Sequence, residues 1–145
     1  MTVDAPLVLV VDDDESIRDL VSVKLEIAGY RTVTAPDGRT ALSLVHRVRP
    51  DLVILDIAMP GLDGLSVCYR MHDDPATAGI PVIMLSGCAT ETDVDLAFVS
   101  GAVEYFAKPV RPADLVRRVR WLLRARPERI NAIPDITAGV RGTVR

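Results

Sequence analysis

The sequence predicts an α/β fold in which helices cover both faces of a five-stranded, mostly parallel sheet. Short apolar runs rich in β-branched residues alternate along the chain with segments of helical periodicity. Turns rich in Gly, Pro and Asp separate the two kinds of segment. Alternation of this kind requires crossover connections, which place helices on both faces of a parallel sheet. We therefore expect one doubly wound domain.

Five apolar runs are the predicted strands. They are Leu7 to Val11, Thr32 to Thr34, Leu52 to Leu55, Val82 to Leu85 and Ala102 to Phe106. Each run has the length of a strand rather than of a helix. The third is apolar at every position, which is typical of a central parallel strand buried on both faces. In open sheets of this type, functional residues follow the carboxyl ends of the strands.

Apolar residues recur at helical spacing between the strands and after the last one. The predicted helices surround Ile17 to Ala28, Ala41 to Val48, Leu65 to Met71, Val94 to Val99, and Pro112 to about Ala125. The last has Pro at its first position and an apolar stripe of Leu115, Val119, Leu122 and Leu123. Trp121 lies off this stripe, so it either marks an exposed partner surface or packs against the C-terminal tail.

The length of 145 residues fits one domain, residues 1–126, followed by a tail, residues 127–145. The tail holds two prolines, two glycines and no sustained period, which predicts loose order. No stretch approaches the about 18 apolar residues of a membrane helix. The first six residues lack the layout of a signal peptide. We expect a cytoplasmic protein without membrane contact.

The net charge of -3 is unevenly distributed. Residues 111–145 hold nine arginines against three acidic residues, whereas residues 1–110 hold 17 acidic against 8 basic residues. A basic segment can bind nucleic acid or an acidic partner. We favour the simpler interpretation, a helix whose outer face is solvated by arginines. Direct DNA binding is not expected, because no helix-turn-helix pattern follows residue 126.

The cysteines and histidines form no catalytic or metal-binding pattern. Cys68 and Cys88 lack a C-x-x-C spacing and a histidine at ligand spacing, which predicts two reduced, partly buried thiols. His46 and His72 fall in predicted helices at no useful spacing from each other, so we expect both at the surface or at its boundary with the core.

Four predicted strands are followed by side chains that can carry chemistry. These are, in chain order, Asp12 to Asp14, Asp56, Ser86 and Lys108. Carboxylates crowded at one edge of a sheet repel one another unless a cation lies among them. Oxygen ligands with room for water favour a hard ion such as Mg²⁺. A lysine adds the compact charge that holds a phosphoryl oxygen.

Simpler interpretations exist for the same residues. Asp12 to Asp14 alone could be a helix start, because acidic residues cap free N–H groups and favour the helix dipole. Asp56 directly follows three apolar residues and is harder to explain as loop polarity. Ser86 and Tyr105 alone would be a strand-end hydroxyl and a core aromatic. Their spacing from Asp56 favours the functional interpretation.

Several segments together resemble two-component response regulator receiver domains, from about Leu7 to Leu123. They are VVDDDE at 10–15, DIAMPGLDG at 56–64, SG at 86–87 and YFAKP at 105–109. Each motif is short, but the intervals from 13 to 56, 56 to 86 and 56 to 108 all suit the family together. The resemblance implies a flavodoxin-like (βα)5 fold with strand order 2-1-3-4-5.

The resemblance also implies roles at the site. Asp56 would accept a phosphoryl group from a sensor histidine kinase or a phosphotransfer protein. Asp12, Asp13, Asp56 and the main-chain carbonyl of Ala58 would hold Mg²⁺ or Mn²⁺, with Asp12 acting directly or through water. Lys108 would bind the phosphoryl group. The chain would catalyse only its own phosphorylation and dephosphorylation, so it is not expected to be an enzyme acting on an outside substrate.

The same family pattern implies a switch. Ser86 would form a hydrogen bond to the phosphoryl group, and Tyr105 would change its burial in response. The readout would lie on the helix Thr92 to Ser100, the strand of Tyr105 and the last helix, and would control a partner or output domain. A homodimer could form through this surface. The Lys108–Pro109 bond is expected to be cis.

Two positions depart from the commoner pattern of the family. Ala58 and Cys88 stand where polar residues are frequent, on the path of attacking water, and they leave the lifetime of the phosphate open. Ala58 also disfavours a metal-dependent phosphatase, which usually needs a second Asp there as general acid. A flavin module is disfavoured because Asp-Asp-Asp-Glu would repel a phosphate. P-loop hydrolysis lacks its motif.

Overall fold

The computed structural model describes residues 5–87 and 90–124. The elements are β1 (Leu7–Val11), α1 (Glu15–Ile27), β2 (Arg31–Ala35), α2 (Gly38–Val48), β3 (Leu52–Asp56), α3 (Gly64–Asp73), β4 (Val82–Ser86), α4 (Glu91–Val99), β5 (Glu104–Ala107) and α5 (Pro112–Arg124). All neighbouring strands are parallel, in the order β2-β1-β3-β4-β5. The predicted fold class and strand order are confirmed. None of these helices is long and apolar enough to cross a membrane.

The boundaries differ from the prediction at a few points. Strand β5 begins at Glu104, two residues later than predicted. Ala102 belongs instead to the turn after α4, where Gly101 has φ +115 and the Ala102 N–H donates to the Ala97 carbonyl at 3.0 Å. Asp56 and Ser86 are the last residues of their strands rather than the first residues after them. Cys88 and the predicted tail, residues 127–145, lie outside the described residues.

Two hydrophobic clusters cover the two faces of the sheet. One contains core residues of α1 and α5, and the other contains core residues of α2, α3 and α4. Within β3, Leu52 and Ile54 join the first cluster, whereas Val53 and Leu55 join the second. Burying a side chain of this size stabilises the fold by about 1.5–3 kcal/mol. The uninterrupted apolar run of β3 therefore reflects a central strand with a core on each side.

Four helices begin at a capping side chain. Asp14 accepts hydrogen bonds from the N–H groups of Ser16 and Ile17 at the start of α1. Asp37, Asp63 and Thr90 cap α2, α3 and α4 in the same way. Such caps stabilise a helix by about 1 kcal/mol each. They also fix the loops that leave the carboxyl ends of the strands.

Helix α5 packs through Leu115, Val119 and Leu123, while Leu122 is only partly buried. Trp121 is half-buried, and the Arg118 guanidinium lies 5.2 Å from the centre of its ring. A cation at this distance from an indole face is attracted by the ring quadrupole. Any contact of Trp121 with the predicted tail lies outside the described residues.

Candidate functional site

Three carboxylates meet at the carboxyl edge of the sheet. Asp12 follows β1, Asp56 ends β3, and one oxygen each from Asp12, Asp13 and Asp56 lies within 4.8 Å of the others. Asp12 and Asp56 are 1% and 3% exposed, whereas Asp13 is open to solvent. The convergence of these strand ends agrees with the sequence prediction, and it brings two buried carboxylates and one exposed carboxylate together.

Lys108, directly after β5, carries the positive charge of the cluster. Its Nζ atom lies 2.8 Å from Asp12 Oδ2 and 3.3 Å from Asp56 Oδ1. The following peptide bond, Lys108–Pro109, is cis, as the resemblance implied. One ammonium group is therefore shared between two buried carboxylates.

Every polar group of Asp12 has a hydrogen-bond partner. Its Oδ1 accepts the N–H of Asp14 at 2.9 Å, and its own N–H donates to the Ala35 carbonyl at 3.2 Å. Its main-chain carbonyl accepts a hydrogen bond from Arg18 Nη1 at 2.8 Å. Arg18 was not among the predicted site residues, because nothing in the sequence distinguishes this position from the other arginines of the chain.

The electrostatics of the site follow from burial and from these contacts. Burial raises the pKa of Asp56 to about 6, the charge of Asp12 adds to the rise, and Lys108 opposes it. Burial acts to lower the pKa of Lys108, but its hydrogen bond to Asp12 and the charge of Asp56 outweigh this, and the net pKa is raised. Asp56 therefore gains from any further positive charge beside it.

The donor set fits a hard divalent cation. Three carboxylates supply only oxygen, and Asp13 faces solvent, which leaves room for coordinated water. Mg²⁺ prefers such sites, with few protein ligands and several waters. Ala58 is exposed in the loop after β3, two residues beyond Asp56. Its carbonyl as a further ligand stays a prediction.

Close backbone packing holds the end of β3, with Asp56, against the loop that follows it. The Ile57 N–H donates to the Leu85 carbonyl at 3.0 Å, and the Ile57 carbonyl accepts the Gly64 N–H at 2.9 Å. A Cβ atom on Gly64 would lie 2.2 Å from the Asp56 carbonyl oxygen. Only glycine allows this approach. Gly64 is part of the motif DIAMPGLDG that the sequence already showed, but the sequence did not show why a glycine is needed at this position.

The two predicted switch residues lie on β4 and β5, on one side of the strand that ends in Asp56. Ser86 is buried at the end of β4, paired in register with Ala107, and its carbonyl accepts the Lys108 N–H at 2.8 Å. Tyr105 is half-buried in β5 and packs against the core cluster of α2, α3 and α4. Their positions agree with the prediction, and their roles stay predictions.

Other reactive side chains lie apart from this cluster. Cys68 is buried in α3, where burial raises the pKa of its thiol to about 12. His46 and His72 are exposed, as predicted. His46 Nε2 lies 3.0 Å from Asp74 Oδ2, in a contact between α2 and the segment after α3. Neither histidine joins the carboxylates of the described site.

Known proteins share both the sequence and the fold. The chain is 44% identical over 125 residues to the DNA-binding dual master transcriptional regulator RpaA of Synechocystis sp., covering 86% of this chain and 52% of RpaA. It is 39% identical over 136 residues to the DNA-binding response regulator MtrA of Mycobacterium tuberculosis, covering 92% of this chain and 58% of MtrA. The chain thus spans little more than half the length of these curated relatives.

Solved structures give the same result. A CheY-like response regulator receiver domain protein from Methanospirillum hungatei superposes with a TM-score of 0.78 at 28% identity, over 83% of this chain and 94% of that one. The receiver domain of the Francisella response regulator 1452 superposes with a TM-score of 0.77 at 34% identity, over 82% and 97%. The family model for the response regulator receiver domain matches residues 8–120, and the chain belongs to this family of two-component signalling domains.

Proposed function

We propose that the chain is a phosphorylation-controlled receiver in which Asp56 accepts a phosphoryl group from a sensor histidine kinase or a phosphotransfer protein. The observation that carries the proposal is the position of Asp56, buried between Lys108 and the carboxylates of Asp12 and Asp13. In this proposal residues 1–126 form the receiver domain, with residues 127–145 as a tail.

The chemistry requires an acceptor oxygen and positive charge on the transferred group. A carboxylate oxygen of Asp56 attacks phosphorus, the P–N bond of the phosphohistidine breaks, and the products are an acyl phosphate and a free histidine. Lys108 is already 3.3 Å from the attacking carboxylate and can move its contact to a phosphoryl oxygen. Asp12, Asp13, Asp56 and the Ala58 carbonyl would hold Mg²⁺, or Mn²⁺, which supplies further positive charge.

The added charge of the phosphoryl group drives the proposed switch. The Ser86 hydroxyl moves to donate to a phosphoryl oxygen, and the loop after β4 follows it. Tyr105 then turns inward. The surface formed by α4, β5 and α5 changes as a result and contacts a partner, an output domain or a second copy. Leu96 and Val99 of α4 are exposed hydrophobic residues on this surface.

An apolar hollow of about 310 Å³ beside the site suits the approach of the phosphoryl donor. Its lining includes Ile17, Leu20 and Val21 of α1, together with Lys108, Pro109 and Val110. Leu20 is 49% exposed, so an apolar partner surface gains by covering it. A donor bound here delivers its phosphohistidine next to Lys108 and Asp56.

Two further activities are outside the proposal. A phosphatase acting on outside substrates needs a general acid where Ala58 stands. RpaA and MtrA are DNA-binding proteins by name and exceed this chain in length. DNA binding by residues 1–110 is disfavoured, because their 17 acidic against 8 basic residues repel the phosphate backbone. We place the receiver in the cytoplasm, where a kinase phosphodonor would meet it.

The test of phosphoryl transfer is the intact mass of the protein after incubation with acetyl phosphate. Wild type, Asp56→Asn and Asp95→Asn are compared with Mg²⁺ and with EDTA, since Asp95 is an exposed aspartate on α4. We expect one phosphoryl adduct on wild type and Asp95→Asn, dependent on Mg²⁺ and absent from Asp56→Asn. An adduct on Asp56→Asn would move the acceptor elsewhere. No adduct on wild type, with acetyl phosphate or with a phosphohistidine donor, would overturn the proposal.

The switch has its own readout in Trp121, the single tryptophan of the chain. Beryllium fluoride with Mg²⁺ mimics the acyl phosphate, and we expect it to change the fluorescence of Trp121 through the surface of β5 and α5. Ser86→Ala should bind the mimic with a smaller fluorescence change. An equal change in Ser86→Ala would remove Ser86 from the switch while leaving Asp56 as the acceptor.

A further inference from the structure

Arg18 connects α1 back to the end of β1. Its Nη1 atom donates to the Asp12 carbonyl at 2.8 Å, and its main-chain N–H donates to the Asp14 carbonyl at 3.0 Å. The side chain is half-buried, and a guanidinium stays charged at every relevant pH. The loop of residues 12–14 is therefore held at both ends by one residue of the helix that follows it.

Asp13 lies between these two anchor points. Its carboxylate reaches within 4.8 Å of the oxygens of Asp12 and Asp56, although Asp13 itself is exposed. An exposed side chain is not placed by packing around it, so the backbone of the loop determines where its carboxylate points. The Arg18 contact also fixes the Asp12 backbone, whose carboxylate contributes to the same cluster.

We propose that Arg18 is a positioning residue that sets the affinity of the acidic cluster for Mg²⁺. It does so by holding the Asp12 carbonyl, and through it the loop that presents Asp13. This inference rests on the proposed function, because it concerns the metal of that site. Groups that orient metal ligands typically change metal affinity by about 10–100-fold when they are removed.

A second effect of Arg18 must be separated from positioning. The guanidinium also carries a positive charge close to Asp12, and loss of this charge alone would favour a cation at the cluster. Through-space attraction or repulsion of this kind weakens with salt, with a screening length of about 10 Å at 0.1 M. Lys24, exposed on the same helix, offers a matched loss of charge without a contact to the Asp12 carbonyl.

The experiment is titration of Mg²⁺ into the metal-free protein by calorimetry, at 50 mM and 300 mM salt. Wild type, Arg18→Ala, Arg18→Lys and Lys24→Gln are compared, and amide NMR shifts of Asp13 and Asp14 are recorded without metal. We expect Arg18→Ala to bind Mg²⁺ about tenfold more weakly than wild type at both salt concentrations, with altered Asp13 and Asp14 shifts. Arg18→Lys should recover part of the loss, and Lys24→Gln should match wild type.

The outcomes separate the two proposals. Unchanged affinity in Arg18→Ala, with wild type binding Mg²⁺, overturns the role of Arg18 and leaves the proposed function intact. A change that vanishes at 300 mM salt, or that Lys24→Gln shares, also overturns positioning in favour of charge alone. Failure of wild type to bind Mg²⁺ would overturn both. If Arg18→Ala does not fold, Arg18→Met decides, because methionine keeps much of the side chain's length but cannot donate to the Asp12 carbonyl. Wild-type affinity and unchanged loop shifts in Arg18→Met would then overturn positioning.

Discussion

Lys108 donates to Asp12 at 2.8 Å across 96 positions of the chain, and the contact joins the end of the edge strand β5 to the end of β1. Strands β3 and β4 lie between these two in the sheet. The lysine therefore reaches over the ends of the central strands, and Asp56 at the end of β3 lies within its range. One ammonium group therefore links the two buried carboxylates across the carboxyl edge of the sheet.

Replacing Lys108 should show how strongly the two buried carboxylates destabilise the fold when they have no cation beside them. We expect Lys108→Met to lower the free energy of unfolding by about 2 kcal/mol in EDTA at pH 7.5, because Asp12 and Asp56 then lose their shared cation. Urea unfolding followed by circular dichroism measures this. The matched change Lys24→Met removes an exposed lysine and should alter stability by less than about 0.5 kcal/mol. Equal losses in both variants would contradict the argument.

Replacing Asp56 should have the opposite effect. Its pKa is about 6 in the folded chain, mainly from burial, against 3.8 in the unfolded chain, so the folded state holds the proton more tightly. Stability contributed by this group therefore falls as the pH rises from 3.8 to 6, and the whole penalty is present above pH 6.

We therefore expect Asp56→Asn to be more stable than wild type at pH 7.5 in EDTA, on the order of 1–2 kcal/mol after allowance for the lost contact with Lys108. The gain should shrink toward pH 4, where the wild-type carboxyl is protonated. Saturating Mg²⁺ should reverse the order, because only wild type keeps all three carboxylates. A variant less stable than wild type in EDTA at pH 7.5 would show that Lys108 outweighs burial.

The sequence predicted the site because its chemistry is carried by strand ends. The apolar run of β3 predicted a central strand, and parallel strands bring their carboxyl ends to one edge, so Asp56, Asp13 and Lys108 could be placed together before any contact was known. The strand order came from the family resemblance. Boundaries such as the start of β5 depended on the turn at Gly101, whose backbone conformation no periodicity reveals.

The supporting contacts could not be predicted in the same way. Arg18 reaches a main-chain carbonyl, and a carbonyl is present at every residue, so no sequence pattern identifies its partner. Gly64 was visible as part of a motif, but its need for close approach to Asp56 depends on the three-dimensional path of the loop. The types of side chain in the sequence determine which chemistry is available, and the packing of the loops determines where the reactive groups lie.

Gly64→Ala tests this packing directly. The added methyl group would lie 2.2 Å from the Asp56 carbonyl oxygen, so either the loop or the strand end must move. We expect a loss of about 2–3 kcal/mol in the free energy of unfolding, which exceeds the gain in helix propensity from Gly to Ala. Mg²⁺ affinity should fall as well, because Asp56 moves with its backbone.

Gly79→Ala is the control for that substitution. A Cβ atom built on Gly79 would have no heavy atom within 4 Å apart from those of Gly79 and its two chain neighbours, and its φ is not positive. We expect unchanged or slightly raised stability, up to about 1 kcal/mol, because alanine restricts the unfolded chain. The urea midpoints and the Mg²⁺ affinities of the two variants test this prediction. A Gly64→Ala protein as stable as Gly79→Ala would show that the loop can shift to accept the methyl group at little cost.

The pair of His46 and Asp74 predicts a pH dependence away from the site. The hydrogen bond to Asp74 raises the pKa of His46 above its usual 6.5, a bond to the Leu42 carbonyl adds to this, and Arg49 opposes it. The bond from His46 lowers the pKa of Asp74 below its usual 3.8. The stabilisation that comes from the raised pKa of His46 is fully present below pH 6.5, and it is lost as the pH rises through the pKa of the folded state. The stabilisation that comes from the lowered pKa of Asp74 is lost only when the pH falls into the acid range.

His46→Gln should therefore be less stable than wild type at pH 5.5 and nearly equal to it at pH 8. Urea midpoints of both proteins are measured at both pH values, and the difference between variant and wild type at pH 5.5 is compared with the difference at pH 8. The titration of Asp56 affects both proteins equally and cancels in this comparison. His72→Gln is the control, since His72 is also exposed on a helix but has no carboxylate partner among the described contacts. The pair is exposed, so high salt should weaken the difference. A His46→Gln deficit that is the same at pH 5.5 and pH 8 would mean that the imidazole contributes by packing alone.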